Sequence, residues 1–99
     1  MRIAIPHNTT KAKARRIIEE RLHAASTQYG QYANDLQHEW SADTLHINFK
    51  AKGISAQGTV EITDTDVIID GKLPLIAKPF ESRIRSTVEK EAESMFKTA

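Results

Sequence analysis

The sequence predicts a two-layer α+β domain in which a curved antiparallel sheet has one face covered by two helices. Hydrophobic residues recur at helical spacing near both ends of the chain, and they alternate with a period of two from Leu36 to Leu73. Short turn signals divide this middle region into strands. The predicted element order is therefore β-α-β-β-β-β-α. With 99 residues, the chain has room for a single domain, 1–99, around one core.

A short strand and a long helix come first. The alternation over 1–6 predicts a strand that Pro6 ends. Thr9 or Thr10 caps the following helix, which is predicted to run to about Tyr29. The apolar positions of this helix form one stripe facing the core: Ala14, Ile17, Ile18, Leu22, Ala25 and Tyr29.

The middle of the chain is predicted to form a four-stranded meander. Two-residue turns at Ala42-Asp43, Lys52-Gly53 and Asp64-Thr65 connect the strands. With these turns, apolar residues meet on the same face in every hairpin, whereas a slip of one residue would break the match. The other face is polar, so the sheet should be covered on one side only. The predicted pairs are Trp40 with Leu45, Leu36 with Phe49, Ile47 with Gly58, Val60 with Ile69, Gly58 with Gly71 and Ile62 with Val67.

A second helix is predicted after the sheet. The apolar connection Leu75-Ile76-Ala77 leads into it, and Pro79 is a favourable first helical residue. The same element order occurs in the TATA-binding-protein-like and helix-grip folds, a fold-level analogy that implies no function. The positions expected to face the core are Phe80, Ile84, Val88, Ala92, and Met95 or Phe96.

Composition excludes several classes of protein. The absence of cysteine excludes disulfides, thiolate metal sites and thiol catalysis. The net charge of +1 gives no global attraction to nucleic acid or to an anionic membrane. No segment approaches the roughly 20 apolar residues that span a bilayer, and residues 1–7 lack the apolar core of a signal peptide. We therefore expect a cytoplasmic protein without a transmembrane segment.

Signatures of enzymes and of metal sites are missing from the sequence. It contains no Gly-rich phosphate loop, no Gly-x-Ser-x-Gly motif and no pair of histidines at metal-ligand spacing. Asp64 and Asp66 flank a predicted turn, where aspartate is favoured because it forms local hydrogen bonds. We therefore expect a non-enzymatic protein with no cofactor, no catalytic residue and no metal ligand.

Two clusters are candidates for contact with a partner. The first is apolar and is either a plug between sheet and helix or a docking patch for a hydrophobic surface or a protein. It consists of Leu75, Ile76 and Phe80. The second is basic and is either a solvated helix face or a site for an anionic partner, although nucleic acid is not expected because exposed aromatic residues are lacking. It consists of Lys11, Lys13, Arg15 and Arg16.

A third candidate is a small cavity between the sheet and the helices. Gly58 and Gly71 are predicted neighbours on the apolar face, where they leave room for a closely packed helix, a bend in the sheet or an apolar ligand. His38 is predicted on the same face, either as a polar group in this cavity or as a hydrogen-bonded residue in the core or at a sheet edge.

Short motifs, each present once, follow one another in a characteristic order along nearly the whole chain. They are Pro6-His7, Tyr29-Gly30, Trp40 followed by Asp43-Thr44-Leu45, Phe49, Gly53-Ile54, Gly58-Thr59-Val60, Leu73-Pro-Leu-Ile and Lys78-Pro79-Phe80. This pattern resembles that of the polyhydroxyalkanoic acid system proteins, a family of small bacterial proteins associated with polyester storage-granule gene clusters. Two departures affect loops: Ala42-Asp43 stands where the pattern has Gly-Asp, and the connection 53–58 is longer than usual.

The resemblance implies a cytoplasmic, non-catalytic binding or regulatory protein of the polyhydroxyalkanoate granule system. Its implied partner is the granule surface or a granule-associated protein, and it supplies no catalytic residues to carry over. The alternative is a protein that binds a small apolar ligand, such as a fatty acyl or hydroxyacyl species, in the predicted cavity.

Overall fold

The computed structural model describes residues 1–29, 34–51, 54–72 and 75–97. It confirms the α+β class and the predicted order of helices and strands, with one short 3₁₀ helix added before the last helix. In chain order the elements are β1 (Arg2–Pro6), α1 (Lys11–Tyr29), β2 (Asn34–Ser41), β3 (Thr44–Ala51), β4 (Ile54–Ile62), β5 (Asp66–Lys72), a 3₁₀ helix (Leu75–Phe80) and α2 (Glu81–Phe96).

The five strands form one antiparallel sheet in the order β1-β5-β4-β3-β2. The predicted register is confirmed for every hairpin, by the pairs Trp40 with Leu45, Ile47 with Gly58, Val60 with Ile69, Gly58 with Gly71, and Ile62 with Val67. The continuous pairing predicted for the start of β2 is wrong. The register of β2 against β3 shifts between Asn34 and Gln37, which is the effect of a β-bulge. Leu36 is therefore not paired with Phe49. The predicted turn at Lys52-Gly53 lies outside the described residues.

Helix α1 begins where the sequence predicts. Of the two capping candidates, Thr10 is used: its Oγ1 accepts a hydrogen bond from the backbone N–H of Lys13 at 3.2 Å. Ala14 and Ile18 are buried, as the apolar stripe requires.

Helix α2 begins two residues later than predicted. Pro79 belongs to the 3₁₀ helix, and Glu81 is the first residue of α2. Phe80 is therefore at the N-cap, where its side chain is 58% exposed, and the prediction that it faces the core is wrong. Farther along the helix, Ala92 and Phe96 are buried as predicted.

Both helices pack on the same face of the sheet. One cluster joins α1 and the C-terminal turn of α2 to the strands; its buried members are Ala14, Ile18, Leu45, Ile62, Val67 and Phe96. A second cluster joins α2 to β1 through Ile3, Ile5 and Ala92. The larger cluster lies toward the sheet end that carries the turns 42–43 and 63–65, which we call the turn end. The opposite end, where Met1 pairs with Gly71, is called the Met1 end.

Candidate functional site

The most exposed apolar surface of the described residues is the 3₁₀ helix at the Met1 end. None of its six residues is buried. The side chains of Leu75, Ile76 and Phe80 are 85%, 69% and 58% exposed. A plug between sheet and helix would bury these side chains, so this segment does not fill that role within the chain. We call these three residues the apolar patch.

Contacts of the neighbouring backbone fix the place of the apolar patch. The N-terminal ammonium of Met1 donates a hydrogen bond to the carbonyl of Gly71 at 3.1 Å, and the N–H of Gly71 donates to the carbonyl of Met1 at 2.9 Å. The same ammonium lies 3.9 Å from a carboxylate oxygen of Glu81, the first residue of α2. The chain is thus held just before and just after the 3₁₀ helix, which leaves the apolar side chains projecting into solvent.

The residues predicted to form a cavity lie in one row across the sheet. His38 pairs with Ile47, which pairs with Gly58, which pairs with Gly71. A Cβ added to Gly71 would lie 3.5 Å from Cε of Met1, so the Met1 side chain already occupies the space above that glycine. A Cβ on Gly58 would lie 3.3 Å from a backbone oxygen of β5. The row exists as predicted, but its Gly71 end is filled by the chain itself.

His38 lines a different space from the one predicted. It is exposed on the edge strand β2 and contributes to a pocket of about 360 Å³ between α1 and that strand. The other lining residues are Glu19, Leu22, His23 and Ser26, all from α1. This pocket is mainly polar, with Leu22 as its one apolar wall, and neither glycine lines it. We call it the α1–β2 pocket.

Half of the basic run is engaged in contacts within the chain. The Lys11 ammonium lies 3.1 Å from Asp43 and 3.7 Å from Asp64, so it connects the start of α1 to both turns of the turn end. The hydrogen bond that the Lys11 ammonium donates to Asp43, together with the charges of Asp43 and Asp64, raises the pKa of Lys11. Arg15 lies 4.2 Å above the Trp40 ring and 3.4 Å from Glu19.

The other half, Lys13 and Arg16, is exposed and makes no ion pair with the described residues. Only these two members of the run therefore present uncompensated positive charge to solvent.

Sequence reasoning missed a buried histidine at the turn end. His7 is fully buried, and its Nε2 lies 2.8 Å from the carbonyl oxygen of Thr63. Its Nδ1 accepts a hydrogen bond from the backbone N–H of Thr9 at 3.2 Å. The hydrogen-bond network therefore assigns the neutral ring with its proton on Nε2, donating to Thr63. Both ring nitrogens are used within the chain, which is a structural role, and the Pro6-His7 motif at the strand end was its only signal in the sequence.

Within the described part of the chain, no group of three or more histidine, aspartate or glutamate side chains is arranged to hold a metal ion. None of the described helices is long and apolar enough to cross a membrane.

These observations define a small α+β domain with one open sheet face and an exposed apolar patch at one end. The family model described as putative polyhydroxyalkanoic acid system protein matches residues 1–96, and the chain belongs to this family. The resemblance seen in the sequence is thereby confirmed. No curated protein and no solved structure matches the chain.

Proposed function

We propose that the protein is a non-enzymatic binding or regulatory component of the polyhydroxyalkanoate storage-granule system that docks on the granule surface through the apolar patch. The exposure of Leu75, Ile76 and Phe80 carries this proposal. Family membership supports the granule setting. The contacts of Met1 with Gly71 and Glu81 support the mode of docking, because they hold the chain on both sides of the patch without covering it.

The apolar patch is large enough to drive association. The exposed fractions of its three side chains together equal the apolar surface of about two fully exposed side chains. Complete burial of one such side chain contributes about 1.5–3 kcal/mol. Full burial would thus contribute roughly 3–6 kcal/mol before the cost of association. This is sufficient for reversible attachment to an extended apolar surface, where many equivalent sites are available.

Co-sedimentation with washed polyhydroxyalkanoate granules tests the proposal. The wild-type protein should sediment with granules and remain bound at high salt, since salt does not weaken apolar transfer. A Leu75→Asp/Ile76→Asp variant should remain in the supernatant. The matched control is Ala12→Asp/Ser41→Asp, which adds the same charge at two exposed positions of the turn end, away from the patch, and should sediment like the wild type.

Folding of each variant is checked by circular dichroism and thermal unfolding. Because both substituted residues are exposed, the free energy of unfolding should change by no more than about 0.5 kcal/mol. A folded Leu75→Asp/Ile76→Asp variant that still sediments like the wild type would refute docking through the patch.

A second candidate function is binding of a small hydroxyacyl ligand, and the α1–β2 pocket favours it. Leu22 offers an apolar wall, while His23, Ser26 and His38 offer groups that hydrogen-bond a hydroxyl or a carboxylate. The polar lining suits a short hydroxy acid better than a bare alkyl chain. This candidate moves the predicted ligand site away from Gly58 and Gly71.

Mass spectrometry of the protein purified under native conditions tests this second candidate. A bound hydroxy acid should be present in the wild type and absent from a Ser26→Trp variant, whose added ring would fill the pocket. A Gly71→Val variant should retain the ligand, since Gly71 does not line the pocket. Absence of ligand from the wild type, together with no change in Trp40 fluorescence on titration with 3-hydroxybutyrate, would reject it.

A further inference from the structure

Three cationic residues lie close to the apolar patch in the sequence. Lys72, Lys78 and Arg83 are exposed, and none of the three forms an ion pair with another described residue. The only acidic residue between positions 71 and 84 is Glu81, whose carboxylate lies 3.9 Å from the N-terminal ammonium. Residues 71–84 therefore carry a net charge of +2, three cations against one carboxylate, which exceeds the +1 of the whole chain.

The spacing places the cations beside the apolar side chains. In a 3₁₀ helix, residues three apart lie on the same side, so Lys78 projects with Leu75. Arg83 follows Phe80 by three residues across the start of α2. Each end of the apolar patch is thus paired with a cation whose long aliphatic stem can lie along the apolar surface while its charged end stays in a polar layer.

This arrangement discriminates between docking surfaces. A neutral polyester surface would bury the apolar side chains but would offer the cations no counter-charge. A lipid layer with anionic headgroups satisfies both sets of groups, because apolar side chains enter the acyl boundary while lysine and arginine remain at headgroup level. Each cation near such a surface strengthens binding about fivefold at moderate ionic strength.

We propose that the apolar patch and its two flanking cations, Lys78 and Arg83, form a binding site for an anionic phospholipid layer. This inference rests on the proposed function and deepens it, because it names the chemistry of the surface on which the patch docks. The apolar side chains supply the anchorage, and the cations select a negatively charged layer over a neutral one.

Vesicle co-sedimentation tests this inference. Wild-type protein is mixed with vesicles of phosphatidylcholine alone, with vesicles of equal parts phosphatidylcholine and phosphatidylglycerol, and with lipid-free particles of extracted polyhydroxyalkanoate. Binding should be strongest to the phosphatidylglycerol vesicles. Raised salt should weaken it only to the level seen with phosphatidylcholine alone, because the apolar side chains still anchor the protein there. A Lys78→Gln/Arg83→Gln variant should lose about 25-fold in affinity for those vesicles, at about fivefold per cation.

The matched control is Lys13→Gln/Arg16→Gln, which removes the same charge from exposed positions of α1. It should bind phosphatidylglycerol vesicles about as well as the wild type, whereas Leu75→Asp/Ile76→Asp should not bind. Equal losses in the control and in Lys78→Gln/Arg83→Gln would overturn the inference in favour of a general charge effect. Equal binding of wild type to both vesicle types, or tighter binding to lipid-free polyester, would also overturn it.

The two proposals fail separately. If Lys78→Gln/Arg83→Gln binds anionic vesicles like the wild type while Leu75→Asp/Ile76→Asp no longer sediments with granules, the lipid inference is wrong and granule docking stands. If Leu75→Asp/Ile76→Asp sediments with granules like the wild type, docking through the patch is itself wrong. A patch-dependent dimer in analytical ultracentrifugation, without vesicle binding, would assign the surface to a second copy of the chain and overturn the lipid inference.

Discussion

Replacement of His7 by alanine should destabilise the domain more than its position at the end of a short edge strand suggests. The ring is fully buried, and it forms hydrogen bonds at 2.8 Å to Thr63 and at 3.2 Å to Thr9. It also packs with its centroid 6.5 Å from that of the Phe96 ring in the main core. The substitution therefore removes polar and apolar contacts together and leaves a cavity between the turn end and α2.

The magnitude follows from these two contributions. Loss of the ring leaves the Thr63 carbonyl and the Thr9 N–H without their hydrogen-bond partner. An unsatisfied buried polar group lowers the free energy of unfolding by about 1–3 kcal/mol. Truncation of a large buried side chain to alanine typically costs about 2–5 kcal/mol when the cavity does not collapse. Because the two estimates overlap, we expect a net loss of about 3–5 kcal/mol, a large part of the 5–15 kcal/mol typical of a domain.

Urea denaturation followed by fluorescence of Trp40, the only tryptophan, measures this loss. His7→Gln should lose only about half as much as His7→Ala, since its amide can donate to one partner and accept from the other. His46→Ala, at an exposed site on the polar sheet face, should change the free energy of unfolding by less than about 0.5 kcal/mol. A His7→Ala variant within about 1 kcal/mol of the wild type would refute the structural role assigned to this histidine.

Three further predictions concern the turn end and the sheet. Ala42 has a φ of 53°, in the left-handed region, so Ala42→Gly should stabilise the domain by about 0.5–1 kcal/mol in urea denaturation, and an unchanged or lower stability would contradict this. Gly71→Ala should lower the melting temperature less than Gly58→Ala does. The Cβ added at Gly71 would lie 3.5 Å from the flexible Met1 side chain, whereas the Cβ added at Gly58 would lie 3.3 Å from a backbone oxygen. The reverse order of melting temperatures would contradict this. The pKa of Lys11 is raised in the folded state, so the charged Lys11 ammonium stabilises the fold. This stabilisation is fully present below the ordinary pKa of 10.5 and is lost as pH rises through the higher pKa of the folded state. The difference in melting temperature between wild type and Lys11→Met should therefore be constant from neutral pH to about pH 9 and shrink above pH 10.5, and a difference that grows there would contradict the assignment.

The sheet was predictable because two independent patterns agree. The alternation of apolar and polar residues fixes which face is buried, and the turn lengths fix which residues meet. The pairs Ile47 with Gly58 and Ile62 with Val67 therefore follow from the sequence. The bulge in β2 was not predictable, since it lies beside Asn34, the first residue of the strand, and too few residues precede it to show a break in the alternation. The same limit applies to Phe80, whose spacing fits the apolar stripe of α2 although the 3₁₀ helix turns it toward solvent.

The candidate sites were predictable only as sets of residues. Sequence reasoning identified Leu75, Ile76 and Phe80 as apolar residues without a clear place in the core, but only the structure distinguishes an exposed patch from a plug. The buried state of His7 depends on a partner 56 residues away in the chain, which no local pattern reveals. His38 was placed on the correct face, and its position on the edge strand, facing α1, depends on how the helix packs.

The distribution of packing along α2 explains how this domain can keep an apolar patch exposed. The helix is fixed mainly by its C-terminal half, where Ala92 and Phe96 are buried, while its N-terminal end is held at the surface through Glu81 and the Met1 ammonium. Residues just before α2 therefore contribute little to the core, and the fold would tolerate polar side chains there. Leu75 and Ile76 belong to neither core cluster and are exposed to water, so packing of the fold does not account for the apolar character of this segment. The proposed docking to a surface would supply a reason. It predicts that substitutions in the patch reduce binding while leaving the stability set by His7 and Phe96 unchanged.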